Sequence, residues 1–334
     1  MKKNYKTVLL GISFSMMFFY GCGKKPIEEV SLEKVDIVDN LIIDMENDKE
    51  IYKYIDKGNL VSLNLEAHGK LRAYSEKADV AVFLEYSENG KKINIRSNDE
   101  IKSFFVSGDI SFINISSDGD YIFLKTTTDN ISEYKIVDRH NLSSVNISDN
   151  IAISGDLIRF LDNDNLIFYG VYMDNNDCGI FSYNIKDRSY KLLKEIKEKF
   201  VNYIDVLSDS EILIGQVIDG QNKIALLDLN TLEEEILCDG FENIDTSVIY
   251  EGDIYMSAFE NGNYNLYRVD INSKSIKRLT YGFPKSLGRE SGFVIEENKI
   301  YFSDITGKLY FYDIKSESTN ILENQIGMNM IVDK

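Results

Sequence analysis

Histidine, tryptophan, proline and positive charge are scarce in this chain, and each shortage narrows what it can be. Its 334 residues include 2 His, 2 Pro and no Trp. His68 and His140 belong to no His-Glu-x-x-His or similar ligand spacing. Each precedes a turn residue, Gly69 or Asn141, so both read as solvated turn histidines. No Gly-x-Ser-x-Gly elbow, Gly-x-Gly-x-x-Gly fingerprint or P-loop occurs either. The sequence therefore offers no catalytic constellation and implies no cofactor. Lys and Arg total 37 against 55 Asp and Glu, a formal charge of −18. That balance repels a phosphate backbone and argues against nucleic acid as a partner. What is abundant is apolar: 43% of residues are hydrophobic, and 21 Tyr and 18 Phe sit in Ile- and Val-rich runs. This is the profile of a folded, β-rich chain.

One long uncharged apolar run exists, at the N-terminus. Lys2, Lys3 and Lys6 flank Thr7–Tyr20, fourteen residues that fall short of the roughly 20 needed to span a bilayer. Basic residues followed by a short apolar run form a signal-peptide pattern. The run ends in Phe19-Tyr20-Gly21-Cys22, followed by Gly23-Lys24-Lys25. This segment resembles a bacterial lipoprotein signal, in which a small residue such as Gly21 precedes the modified cysteine. Phe19 and Tyr20 stand where Leu and a small residue are usual. The resemblance implies cleavage before Cys22 and a diacylglycerol on its thiol; an uncleaved anchor and an ordinary secretory signal are the alternatives. Two acyl chains form a stable anchor at about 0.8 kcal/mol per buried CH₂. Cleavage leaves 34 bases against 55 acids, so the body is expected to be tethered rather than laid on an anionic surface. We expect a signal at 1–21, acylated Cys22 and a tether at 22–39, and a folded domain at 40–334 on the extracytoplasmic face of the cell membrane.

The remainder is organised by a repeat. Thr246–Thr280 reads as four strands: Thr246–Tyr250, Ile254–Phe259, Tyr264–Asp270 and Ile276–Thr280. Turns rich in Gly, Asn and Ser separate them, the pattern of an antiparallel meander. An Asp or Asn closing the third strand recurs at Asp138, Asn184, Asp228, Asp270 and Asp313, at intervals of 46, 44, 42 and 43 residues. A period of about 40–45 is that of a propeller blade. A further step of 44 residues back reaches Asn94, and one more falls in Asp48–Leu65. Second strands are expected at Tyr121–Lys125, Leu166–Val171, Ile212–Val217, Ile254–Phe259 and Ile300–Asp304. The expected fold is all-β: a β-propeller of seven four-stranded antiparallel blades, or of six with an N-terminal extension. Met328–Val332 is left over, and we expect it to pair near Asn40–Met45 and close the ring, since open strand edges template aggregation. Lys191–Phe200 competes, with Leu192, Leu193, Ile196 and Phe200 at helical spacing. There we expect a strand over Tyr190–Leu193 and then a connecting loop, with room for a single helical turn.

Asn265–Thr280 and Ile113–Leu124 resemble the repeats of TolB-like propellers. In that family a Ser-x-Asp-Gly turn precedes the second strand, as at Ser116–Gly119, and an Asp-bearing strand end with a later Leu-Thr closes the unit. The resemblance covers Ile110–Glu323 and implies fold far more than function. Similar repeats occur in periplasmic assembly proteins, in prolyl-oligopeptidase-type peptidases and in clostridial surface lipoproteins. The Asn/Ile/Lys-rich composition with Cys22 is most similar to the last group.

Other candidates carry less chemistry. Asp174–Gly179 starts like a calcium loop but has Cys178 at the fifth position and Ile185 at the twelfth, where Glu is required, so no metal site is expected. Tyr169, Tyr172, Tyr264 and Tyr267 read as blade-packing aromatics, with a sugar- or peptide-binding face as the alternative. Cys178 and Cys238 read as unpaired, with a disulfide as the alternative. Together these features predict a monomeric, lipid-anchored, non-catalytic binding or scaffolding module for a protein or envelope component. The alternative is a propeller hydrolase or lyase using carboxylates and tyrosines near the central channel.

Overall fold

The structure is a computed structural model that describes residues 41–334 apart from 47–48, 64–68, 89, 98–99, 148–149, 198, 290, 323–327 and 332–334. The expected signal and tether, Cys22 and His68 lie outside the described residues. Every regular element among the described residues is a strand. In chain order the first blade contributes β1 (Leu41–Glu46), β2 (Lys49–Asp56) and β3 (Asn59–Leu63). Blade 2 holds β4 (Lys70–Ser75), β5 (Val80–Ser87), β6 (Gly90–Ser97) and β7 (Glu100–Val106). Blade 3 holds β8 (Asp109–Ile115), β9 (Tyr121–Thr128), β10 (Ile131–Asp138) and β11 (Ser144–Asn146). Blade 4 holds β12 (Ile151–Phe160), β13 (Asn165–Tyr172), β14 (Cys178–Asn184) and β15 (Ser189–Glu195). Blade 5 holds β16 (Lys199–Ser208), β17 (Glu211–Ile218), β18 (Gln221–Asp228) and β19 (Glu234–Asp239). Blade 6 holds β20 (Asn243–Tyr250), β21 (Asp253–Glu260), β22 (Asn263–Asp270) and β23 (Ser275–Arg278). Blade 7 holds β24 (Val294–Glu296), β25 (Lys299–Ser303), β26 (Leu309–Asp313) and β27 (Ser318–Ile321). The last strand, β28 (Met328–Ile331), returns to blade 1 as its innermost strand, giving the order β28-β1-β2-β3.

The propeller thus has seven blades. The expected closure forms: Ile42 pairs with Ile331 and Met45 with Met328. Seven apolar clusters say the same thing energetically, because each one bridges two consecutive blades. The closing cluster joins Val294, Tyr301, Leu309 and Leu322 of blade 7 to Ile42, Ile55 and Ile331 of blade 1. Every blade is covered on both sides, so its second strands read as continuous apolar runs. In β13, for example, Leu166 and Phe168 pack toward blade 3 while Ile167 and Tyr169 pack toward blade 5.

Local sequence fixes the hairpins. Asp129-Asn130, Asp219-Gly220, Glu251-Gly252, Asn261-Gly262 and Glu297-Asn298 all have positive φ at both positions. Two-residue turns of that kind match the twist of the flanking strands. The recurring third-strand residue caps the following turn. Asp228 accepts hydrogen bonds from the backbone N–H of Asn230 (2.7 Å) and Thr231 (2.8 Å), and Asp313 from Lys315 (2.9 Å) and Ser316 (2.9 Å). Asp138, Asn184 and Asp270 do the same for His140, Asp187 and Ser273. The repeat signature is therefore a turn device.

Two expectations are corrected. After β15 no helical turn forms among the described residues: Ile196 is buried between blades 4 and 5, and Phe200 already belongs to β16. The third strand of blade 2 ends at Ser97, not Asn94, which lies buried inside β6 and bonds Glu85 and Ser103. The corresponding residue of blade 1 is Asp56, which ends β2.

Candidate functional site

The meander gives the ring two unlike faces. Connections from first to second and from third to fourth strands lie on one, here the turn face. Connections from second to third strands, and those between blades, lie on the other, the loop face. The first strands pack on one another around the channel: β4 on β8, β8 on β12, β12 on β16, β16 on β20.

Apolar exposure is concentrated on the loop face. Tyr86, Phe105, Ile131, Met173, Phe200, Tyr281, Phe283 and Ile305 are 47% to 74% exposed, and all stand at strand ends or connections of that face. The other exposed large hydrophobics, Ile101, Ile236, Ile276 and Ile321, are 37% to 39% exposed and lie on outermost strands. Among the described residues none of this kind stands in a connection of the turn face. Several of the loop-face groups are held by neighbours. The Arg278 guanidinium sits 5.4 Å from the Tyr281 ring, Lys91 6.0 Å from Tyr86, and Phe283 meets Tyr310 edge to face at 5.4 Å. Leu287 anchors the long blade 6–blade 7 connection by burying in the core shared by those blades.

The turn face holds a cavity of about 350 Å³ at the channel mouth, formed by the ends of β4, β8, β12 and β16. Its charged and amide side chains are Glu76, Lys77, Asn114, Arg159 and Asp205. Asp205 is held firmly. Its carboxylate accepts hydrogen bonds from Ser247 Oγ (2.6 Å), Tyr203 OH (3.1 Å) and the Val206 N–H (3.0 Å), and lies 3.9 Å from Arg159 Nε. Arg159 Nη1 donates to the carbonyls of Asp156 (3.0 Å) and Ile158 (2.9 Å), with the guanidinium 5.7 Å from the Phe112 ring. Its Nε–Nη2 edge makes no hydrogen bond among the described residues. Glu76 is exposed as a residue, yet partial desolvation pushes its carboxyl above the ordinary value. No sequence motif contains these residues; the only signal for Asn114, Arg159 and Asp205 is their matching place in successive blades.

The sequence-derived candidates are scattered. His140 sits in the blade 3 turn, 58% exposed in its side chain, with Nε2 2.8 Å from Asp120 Oδ1. Partial burial pushes Asp120 up, but hydrogen bonds from Arg139 and His140 outweigh it and leave the carboxyl below its usual range. Tyr169 and Tyr267 are buried between blades, and burial pushes Tyr169 up to about 12. Tyr172 and Tyr264 pack half-buried against the same kind of core. Cys178 begins β14 and Cys238 lies buried in β19; both are free thiols. Asp174–Asp177 form a turn closed by Asn175 and Asp177 on one another. No cluster of three metal-ligating side chains occurs among the described residues.

No family description matches the chain, and no curated protein is similar to it in sequence. Solved structures do match. An oligogalacturonate lyase in complex with manganese aligns at a TM-score of 0.56 and 10% identity, covering 87% of this chain and 85% of that one. Dipeptidyl peptidase 4 from Porphyromonas gingivalis aligns at 0.54 and 12% identity, over 89% of this chain and 54% of the peptidase. TolB from Acinetobacter baumannii aligns at 0.45 and 12% identity, over 89% of this chain and 80% of TolB, a score too low to argue from. At such identities the similarity shows the fold alone.

Proposed function

We propose that this chain is an exported lipoprotein of a low-GC Gram-positive bacterium, acylated at Cys22, whose propeller is a non-catalytic platform for a protein or envelope component. The observation that carries the platform is the placement on the loop face of the eight most exposed large hydrophobics among the described residues. Single exposed apolar residues are ordinary, but their gathering on one face of the ring suits a partner surface, where aromatic anchors supply much of the binding energy. The anchor rests on Gly21-Cys22 and the short apolar run before it. Metabolic labelling with a clickable palmitate tests it: Cys22→Ala should abolish label and release the chain from membranes. Label that persists in that variant would reject acylation at Cys22. Crosslinking in intact cells tests the platform. Y281S combined with I131S should lose the crosslinked species, and its survival at full yield would reject the loop face.

A second reading, a hydrolase or lyase, draws on Glu76, Asp205 and Arg159 sharing one cavity. Against it, the oxygens of Asp205 are already engaged by Ser247, Tyr203 and Val206, and among the described residues no histidine lines that cavity.

A further inference from the structure

The channel mouth carries a pattern that the propeller itself does not require. One register position lies opposite the third residue of each second strand and can be compared across six blades. It is filled by Ala73, Asn114, Arg159, Asp205, Val248 and Val294. In blades 2, 6 and 7 the residue packs into the core between blades. In blades 3, 4 and 5 it is polar, and all three polar side chains line the same cavity. A small apolar residue meets the needs of packing at this position, so packing does not account for Asn, Arg and Asp.

We infer that this mouth binds a small carboxylate ligand. Its carboxylate would lie on the Nε–Nη2 edge of Arg159 and the ammonium of Lys77, with a neighbouring hydroxyl or amide on Asn114. Guanidinium presents two parallel N–H groups that match a carboxylate. Lys77 and Asn114 have no side-chain partner among the described residues, and they stand at the cavity with that free edge. Lys77 is thus a cation without an acidic partner among the described residues, and Arg159 meets Asp205 only at 3.9 Å, in a chain whose charge is −18. Asp205 and Glu76 flank the site, which favours a singly charged group over a doubly charged phosphate. The cavity, about 350 Å³, falls at the small-molecule end of ligand pockets. The site lies on the face opposite the proposed partner surface and does not depend on it.

Calorimetric titration of the full chain in detergent tests the inference with paired probes: glucuronate against glucose, and glycylglycine against glycylglycinamide. We expect saturable binding of a carboxylate probe and not of its neutral counterpart. A response to glucuronate assigns a sugar acid, and a response to glycylglycine assigns a peptide terminus. R159Q should weaken binding at least about tenfold, as loss of a charge-assisted pair does. K77Q, at an exposed position that cannot disturb the fold, should weaken it several-fold. The inference is overturned if no carboxylate probe saturates at millimolar concentration, if the neutral partners bind equally well, or if K77Q and R159Q both leave affinity unchanged.

Discussion

Removing residues 328–334 deletes the strand that closes the ring, and the consequences can be worked from its contacts. Ile331 is fully buried among Ile42, Ile55, Val294, Tyr301, Leu309 and Leu322. Truncating such a side chain to Ala costs about 2–5 kcal/mol, because the surrounding residues relax only partly into the space. Deleting the strand also removes the ladder from Ile42–Ile331 to Met45–Met328, at a net of about 0.5–1.5 kcal/mol per hydrogen bond. It further removes the bonds that tie Ile331 to Gly292 and Ser291 in the preceding connection. The total, about 5 kcal/mol or more, is comparable with the whole stability of an ordinary domain. In a chain of this size each kcal/mol shifts the melting temperature by about 2–4 °C, so truncation should lower it by at least about 10 °C. I331A alone should lower it by about 4–20 °C. Calorimetry or circular dichroism on the intact, I331A and truncated chains measures this directly. The truncated chain should also aggregate, since β1 becomes an exposed edge. A melting temperature within about 2 °C of the intact value would show that β28 does not close the ring.

Three further outcomes follow from local chemistry. Gly119 has φ +71°, and a Cβ there would meet Val80 Cγ2 at 2.7 Å, so G119A should destabilise by about 2–4 kcal/mol in urea unfolding. Backbone hydrogen bonds, foremost that from Thr231, hold Asp228 below the ordinary 3.8, and Asp270 and Asp313 are lowered in the same way by Ser273 and Ser316. A depressed folded value contributes stability that is present above 3.8 and lost as pH falls through the folded value. Stability should therefore fall below about pH 4, and the triple Asp→Asn variant at these positions should flatten that decline in denaturation curves taken across pH. Burial pushes the Cys238 thiol up to about 12, so in the Cys22→Ala, Cys178→Ser background a thiol reagent should label it only after unfolding. Fast labelling of the native chain would contradict its buried position.

The propeller was legible because its signals are local and repeated. An Asp that caps the turn two or three residues ahead needs no tertiary partner, so Asp138, Asp228, Asp270 and Asp313 set the register by themselves. The register slipped at Asn94 because the early units are shorter: Asp56, Ser97 and Asp138 are spaced by 41 residues, and a stride of 44 overshoots. The apparent helix at Lys191–Phe200 came from two blades read as one element. Leu192 and Leu193 belong to the outer strand of blade 4, while Phe200 starts the inner strand of blade 5 and is exposed on the loop face. The channel mouth was not legible for a different reason. Asn114, Arg159 and Asp205 are 45 and 46 residues apart, and each looks like an ordinary polar residue in its own strand. Only the pairing register shows that they occupy one position in three neighbouring blades.

The platform can be tested by where a partner touches. A photo-crosslinking amino acid placed at Ile131 or Tyr281 probes the loop face, and one at Asn141 or Asn272 probes the turn face. After irradiation of intact cells, we expect a discrete higher-mass adduct from the loop-face positions and none from the turn-face positions. Adducts of equal yield from both faces, or from the turn face alone, would contradict the proposal that the loop face receives the partner.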